Sequence, residues 1–240
     1  MTENTSQWLS PETVKNYLSN VKSGVPLGSF QIDTMLRLID ANKRPVKKFL
    51  DLGCGDGFLS SVMLAKYPAS KAVLLDMSGP MLEAAGQKLE KYKNRISILK
   101  YDFGKSSWLG AVKKSGPFDA VVSRFAIHHQ PDASKKRIYR HIYSLLAKGG
   151  IFVHIEHVSS TGKWAEKIFD ERFVDSIYEN RTDKSKSRAE VAAKYYYRPD
   201  KKENKLTPVD IQCSWLKKIG FKDVDCYFKI FELAVFAGRK

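Results

Sequence analysis

Short apolar runs alternate along most of the chain with segments whose apolar residues recur every three or four positions, the period of a helix with one buried face. The runs Val46 to Leu52, Ala72 to Asp76, Ile96 to Tyr101, Phe118 to Ser123 and Ile151 to His157 predict five strands. Helices are predicted between them over Phe58 to Tyr67, after Ser78-Gly79-Pro80 with Met81, Ala85 and Leu89 on one face, and after Pro131 with Ile138, Ile142, Leu145 and Leu146 buried. Gly149-Gly150 is expected to close that last helix. Strands and helices alternating at these lengths imply a parallel sheet covered on both faces, with ligands outside the carboxyl ends of the strands.

The two ends and one interior stretch depart from this rhythm. Ser10-Pro11-Glu12 reads as a helix start, and Val14, Tyr17, Leu18 and Val21 follow on one face; a second helical pattern runs through Ile32, Met35, Leu36 and Ile39. These N-terminal helices, within residues 1–45, are expected as a lid across the ligand edge. Residues 158–206 are too many for a plain connection and predict a helical insertion over the same edge. After a helix capped by Thr207 and started by Pro208, Val224 to Lys229 and Phe231 to Ala237 form a hairpin, so one of these strands runs antiparallel to the rest. The expectation is one domain over residues 1–240.

The chemistry concentrates at Phe49-Leu-Asp-Leu-Gly-Cys-Gly-Asp-Gly57, a strand, a glycine turn and a helix start. Residues without Cβ let a ligand approach the backbone, and the free N–H groups of a helix start attract polar or anionic groups. A dinucleotide fingerprint counted from Gly53 would need glycine where Phe58 stands, and a phosphate loop would need Gly-Lys-Ser/Thr, which is absent. Asp76 ends the second strand, 19 residues after Gly57, and suits a ribose diol. Asp102-Phe103 offers an acceptor for an exocyclic amine and an aromatic face. The site reads as one for an adenosine without phosphates.

With Asp51-Leu-Gly-Cys-Gly-Asp-Gly57, Asp76 in Leu-Leu-Asp-Met-Ser, Tyr101-Asp-Phe103 and Leu146-Ala-Lys-Gly-Gly-Ile-Phe152 in this order, the chain resembles class I S-adenosylmethionine-dependent methyltransferases over about 27–158 and 207–240. The resemblance implies a seven-stranded, mostly parallel, Rossmann-like α/β sheet with helices on both faces and the last strand antiparallel. It implies S-adenosyl-L-methionine as cofactor and S-adenosyl-L-homocysteine as product. Gly53 and Gly55 would pass the methionine part and Asp51 would help order it. Asp76, with Met77 beside it, would hold the ribose, Asp102 and Phe103 the adenine, and Arg124 would lie near the sulfonium.

Methyl transfer from a sulfonium is an in-line displacement with its leaving group already activated. Holding the reactants together contributes roughly 7–11 kcal/mol, whereas a general base adds ~10²–10⁴-fold. Positioning therefore outweighs a base. The candidates for base or substrate contacts are His128 and His129 after the fourth strand and His154, Glu156 and His157 at the end of the fifth. His129 is the preferred catalytic residue, with His128, His154, Glu156 and Arg198 as substrate contacts. Strand alternation puts His154 and Glu156 on one face and His157 on the other. No ligand spacing indicates a metal.

Composition narrows the class without naming the acceptor. At 240 residues and 43% hydrophobic content the chain can bury a full core, and no apolar run reaches membrane-spanning length. Cys54, Cys213 and Cys226 are scattered, which fits a reducing compartment, and with a polar N-terminal stretch the expectation is a cytoplasmic protein. A net charge of +15 fits nucleic acid or acidic substrates as well as a solvated lysine surface. The leading expectation is a small-molecule methyltransferase with both extra segments closing over a pocket. An RNA methyltransferase guided by the basic stretch Arg181 to Lys205 is the alternative, although no RNA-binding motif is visible. Similarity in the second half to carboxy-S-adenosylmethionine synthases offers a third, since Arg198 stands nine residues before Thr207, where a member of that group holds an extra carboxylate. A cofactor-binding regulator without turnover is the fourth.

Overall fold

The computed structural model describes residues 6–21, 24–181 and 183–240. Val21, expected on the buried face of the first helix, has its side chain outside the described residues. The strands β1 (Lys48–Leu52), β2 (Lys71–Asp76), β3 (Ile96–Lys100), β4 (Phe118–Arg124), β5 (Leu146–His157), β6 (Lys222–Ile230) and β7 (Leu233–Arg239) form one sheet in the order β3-β2-β1-β4-β5-β7-β6. The pairs from β3 to β5 are parallel, while β7 is antiparallel to both β5 and β6. The last strand alone reverses, as expected. Chain order switches direction between β1 and β4, and this opens a crevice beyond their carboxyl ends.

Side-chain alternation loads both faces of the sheet. Leu50 and Leu52 of β1 pack with Trp108, Ile138, Tyr139, Ile142 and Leu216, carried by α5 (Trp108–Lys113), α6 (Asp132–Leu145) and α9 (Val209–Ile219). Phe49 packs oppositely with Met35, Ile39, Met63 and Ala85, carried by α2 (Gly28–Ala41), α3 (Phe58–Lys66) and α4 (Gly79–Lys88). Burying a large apolar side chain stabilises by about 1.5–3 kcal/mol, so these two layers hold the strand ends in place.

Two boundaries differ from expectation. α6 ends at Leu145 and β5 begins at Leu146, so Gly149-Gly150 lies within the strand and does not cap the helix. Gly149 has φ +74°, and its N–H reaches the Lys240 carbonyl at 2.8 Å. Thr207 does not cap α9: Pro208 occupies that position, and the Thr207 hydroxyl donates to Asp132 Oδ1 at 2.6 Å.

The expected first helix is present as α1 (Pro11–Asn16), continued by a single π turn, Tyr17–Val21. Ser10 caps it, its Oγ accepting from the Thr13 N–H at 3.4 Å. The stretch 158–206 holds α7 (Lys163–Asn180) and α8 (Arg188–Tyr196), the latter started by a reciprocal Ser187/Glu190 capping box. Phe169, Phe173, Ile177, Val191 and Tyr195 form a core of their own that reaches Leu233 at the start of β7. Trp164, near the start of α7, is 80% exposed.

Candidate active site

The turn after β1 is shaped by glycine. Gly53, Gly55 and Gly57 have φ of +72°, +52° and +73°, in the region that costs other residues strain. A Cβ on Gly53 would stand 2.2 Å from the Ala126 Cβ, so the loop and the turn after β4 touch only because that atom is missing. The Gly53 and Cys54 N–H groups are tied to the Leu75 carbonyl, at 2.8 and 3.0 Å.

Two carboxylates brace this loop. Asp51 is buried, and its Oδ2 accepts from the Ser60 N–H at 3.1 Å and the Ser60 hydroxyl at 2.7 Å. Burial pushes its carboxyl up to about 7 against the two Ser60 hydrogen bonds. Asp76 accepts the Gly55 N–H on Oδ2 and the Ser78 N–H on Oδ1, both at 2.9 Å. Burial raises its pKa as well, with the backbone N–H groups opposing. Each oxygen of Asp76 keeps acceptor capacity toward the crevice, which fits a vicinal diol.

The crevice is a cavity of about 860 Å³, lined by Asp51, Gly53 to Asp56, Asp76 to Ser78, Asp102, Phe103, Arg124 to Ala126, His128, His129 and His157. Pockets for drug-sized ligands span roughly 300–1,000 Å³, so this one has room for a nucleoside cofactor and a small molecule beside it. Its outer wall comes from Ser6 to Trp8, Tyr17 and Val25 on the N-terminal side and from Phe173, Tyr195 and residues 197–200 and 202–205. These two parts meet: Glu203 Oε2 accepts from the Ser6 hydroxyl at 2.8 Å and Oε1 from the Gln7 N–H at 2.5 Å. Trp8 lies against His129, their ring centroids 5.6 Å apart.

After β4 the chain turns sharply. Phe125 has φ +51°, a strained value for an aromatic residue, and is tied by its N–H to the Ile155 carbonyl at 3.0 Å. The short 3-10 turn Ile127–His129 follows. His128 faces Glu156: Nδ1 stands 2.6 Å from Oε1, and the His128 backbone N–H donates to Oε2 at 2.9 Å. Glu156 also accepts the His157 N–H at 2.7 Å. Burial pushes this carboxyl up, but the neighbouring His128 and His154 outweigh it and hold Glu156 well below the usual carboxylate range. An ionised Glu156 accepts from His128 Nδ1, and this contact turns the Nε2 edge of the ring away from the carboxylate.

The remaining candidates divide. His129 lines the cavity, and burial followed by the His128 ring pushes it well below the ordinary histidine value. Its Nδ1 has no partner among the described residues, and the ring meets the backbone of Glu203 where His128 meets a carboxylate. His154 and Glu156 were expected against substrate. Both are buried behind the cavity wall, because β5 is covered on both faces in the middle of the sheet. His154 Nε2 stands 2.9 Å from Glu156 Oε2 but too poorly aligned for a hydrogen bond. His157 does reach the cavity and is held by Glu232, Nε2 to Oε2, at 3.0 Å. Arg198 lines the outer wall with Nε 3.3 Å from Asp200 Oδ2.

Sequence reasoning passed over Glu203, Trp8 and Glu232. Glu203 sits in a lysine-rich stretch with no periodic signal, and its partners lie 196 and 197 residues away. Glu232 occupies a hairpin turn, where a polar residue needs no special reading.

Comparison with known proteins matches this architecture. A family model described as a methyltransferase domain covers residues 49–150. The carboxy-S-adenosyl-L-methionine synthase of Helicobacter pylori (strain G27) is 25% identical over 221 residues, 89% of this chain and 83% of that protein. Human N-acetylserotonin methyltransferase in complex with SAM superposes with a TM-score of 0.56 at 16% identity, over 99% of this chain and 63% of that one. PigF with SAH gives 0.61 at 16% identity, again over 99% and 63%. The chain thus spans under two thirds of the length of these two solved proteins, and the likeness to them is one of fold.

Proposed function

We propose that the chain, whose residues 49–150 match a methyltransferase-domain model, is a class I S-adenosylmethionine-dependent methyltransferase that methylates a small molecule held in the closed part of the cavity, with His128 as the base. The cofactor, when bound, supplies a methyl group on a sulfonium that is already a good leaving group. Asp76 holds the ribose hydroxyls, Asp102 and Phe103 receive the adenine, and Gly53 and Gly55 let the methionine part lie against the backbone. The N-terminal helices and the 198–205 segment act as a lid that excludes water.

The observation that carries the reading is the His128–Glu156 pair facing a walled cavity. His128, its Nδ1 turned to Glu156, would take the acceptor's proton at Nε2, while the bound cofactor would supply the methyl group and keep the carbon–sulfur electron pair on its sulfur. The imidazolium so formed stands against an anion already in place. His129 has no such partner and serves as a wall residue.

The charge pattern also favours a small acceptor over RNA. Part of the basic stretch that pointed to RNA is paired within the protein: Arg188 pairs with Glu171 at 2.6 Å and Asp175 at 2.7 Å, Lys201 with Asp170 at 3.0 Å, and Lys186 with Asp183 at 3.3 Å. Paired cations release few counterions to a phosphate backbone. The test is S-adenosylhomocysteine release from S-adenosylmethionine with a panel of small metabolites and, separately, with bulk tRNA. Turnover with a small metabolite is expected; turnover with RNA alone overturns the reading.

A carboxy-S-adenosylmethionine synthase is the second reading, favoured by the relatives of that name and by Arg198 at the cavity wall. A mass spectrum of the nucleoside carried through purification separates the two: a carboxylated sulfonium supports the second, unmodified cofactor or S-adenosylhomocysteine the first.

A further inference from the structure

We infer that the methyl acceptor is a flat aromatic molecule carrying an acidic hydroxyl, held against an unbroken run of aromatic rings in the cavity wall. The inference rests on the reading above that a small molecule is methylated with His128 as the base, and it adds the chemical class of that molecule. The run begins at Tyr17, whose ring meets Trp8 edge-on with centroids 5.2 Å apart. Trp8 meets His129 at 5.6 Å, His129 meets His128 at 4.0 Å, and His128 meets His157 at 5.7 Å. From His157 the contacts pass through buried Phe169, at 5.4 Å, to Phe173 at 5.6 Å and on to Tyr195, stacked on Phe173 at 5.3 Å. Every one of these residues except Phe169 lines the cavity. They come from the N-terminal segment, the turn after β4, the end of β5, α7 and α8, so separate parts of the chain deliver the same kind of side chain to one space.

Charge and chemistry agree with that lining. Burial pushes both His129 and His157 below the ordinary histidine value, so at neutral pH these rings are uncharged and offer faces and edges in place of a cation. The Tyr195 hydroxyl is tied to Asp170 Oδ1 at 2.7 Å and His157 Nε2 to Glu232 at 3.0 Å, so these polar atoms are already engaged. Trp8 Nε1 is buried with no hydrogen-bond partner among the described residues, and an oxygen carried by the acceptor ring fits that donor. The base selects the same class. An imidazole has a pKa of about 6.5 and a phenol about 10, whereas water, which an aliphatic alcohol resembles as an acid, stands at about 15.7. Proton transfer to a histidine is thus about 3.5 pH units uphill from a phenol and about 9 from an aliphatic hydroxyl, and the smaller gap favours the phenol.

Matched ring pairs test the inference: 2-naphthol against decahydro-2-naphthol, and catechol against cis-cyclohexane-1,2-diol, each titrated by calorimetry onto protein saturated with S-adenosylhomocysteine. The members of a pair carry the same hydroxyls and differ in the π system. The saturated member is the more apolar, so hydrophobic burial alone would favour it. The aromatic member is expected to bind wild type roughly two- to tenfold more tightly for each ring it packs against. With S-adenosylmethionine in place of the product, it is also the member that releases S-adenosylhomocysteine. Trp8→Leu keeps an apolar wall and removes a ring, and it narrows the gap while S-adenosylhomocysteine affinity and the melting temperature stay as in wild type. The wild-type comparison decides without the variant if the variant does not fold. Equal or tighter binding of the saturated members, or no binding by either, overturns the inference. Turnover of a non-aromatic metabolite with the phenols inert overturns it and leaves the small-molecule reading standing, whereas turnover with tRNA alone overturns both.

Discussion

Glu156 holds His128 at two points, with Oε1 2.6 Å from the ring Nδ1 and Oε2 accepting the backbone N–H at 2.9 Å. The pair fixes the direction of Nε2. With an acceptor from the metabolite panel, His128→Ala is expected to lower kcat by ~10²–10⁴-fold while cofactor affinity is unchanged. Glu156→Gln lowers it too, since the amide cannot stabilise the imidazolium. Nitrogen chemical shifts of the His128 ring check the tautomer directly, and a proton on Nε2 in the wild type would contradict the assignment.

Asp51 predicts an unusual pH dependence. Its folded pKa, about 7, lies above the unfolded value of about 3.9. Below about pH 4 both states hold the proton; between about 4 and 7 only the folded state does, so stability falls as pH rises through that window and is level above it. The displacement amounts to about 4 kcal/mol as an upper figure. Denaturant melts of the ligand-free protein and Asp51→Asn, taken as a difference between the two, are expected to diverge across pH 4 to 7 in favour of the variant. A constant difference would contradict the raised pKa.

Glu203 joins the two halves of the outer wall through Ser6 and Gln7. Glu203→Ala removes both acceptors and is expected to destabilise the closed wall by about 1–3 kcal/mol, faster amide exchange at residues 7–10 being the readout. Exchange elsewhere stays as in wild type. If residues 7–10 exchange no faster, the contact does not hold the wall shut.

The fold and the placing of the glycine loop and Asp76 at one end of the cavity were legible because they depend on short-range pattern. Strand runs, the glycines at 53, 55 and 57, and the acid at the end of β2 each carry a local physical requirement, and the sheet order follows from connecting parallel strands. The acceptor side was less legible. Alternation correctly placed His154 and Glu156 together, yet β5 is covered on both faces, so periodicity could not say which face meets the cavity. His128 and His129 are adjacent in sequence, and only the Glu156 carboxylate, 28 residues on, distinguishes them. Gly149-Gly150 carries the same signal whether it ends a helix or lets a strand turn, and the Lys240 carbonyl decides it from the far end of the chain.

If the crevice outside β1 and β2 holds the cofactor through Asp76, removing that carboxylate weakens binding. Calorimetric titration of S-adenosylhomocysteine into wild type and Asp76→Ala tests it most directly. A loss of about 1–3 kcal/mol of binding free energy is expected in the variant, as for the removal of a charged hydrogen-bond acceptor. Undiminished affinity would contradict it.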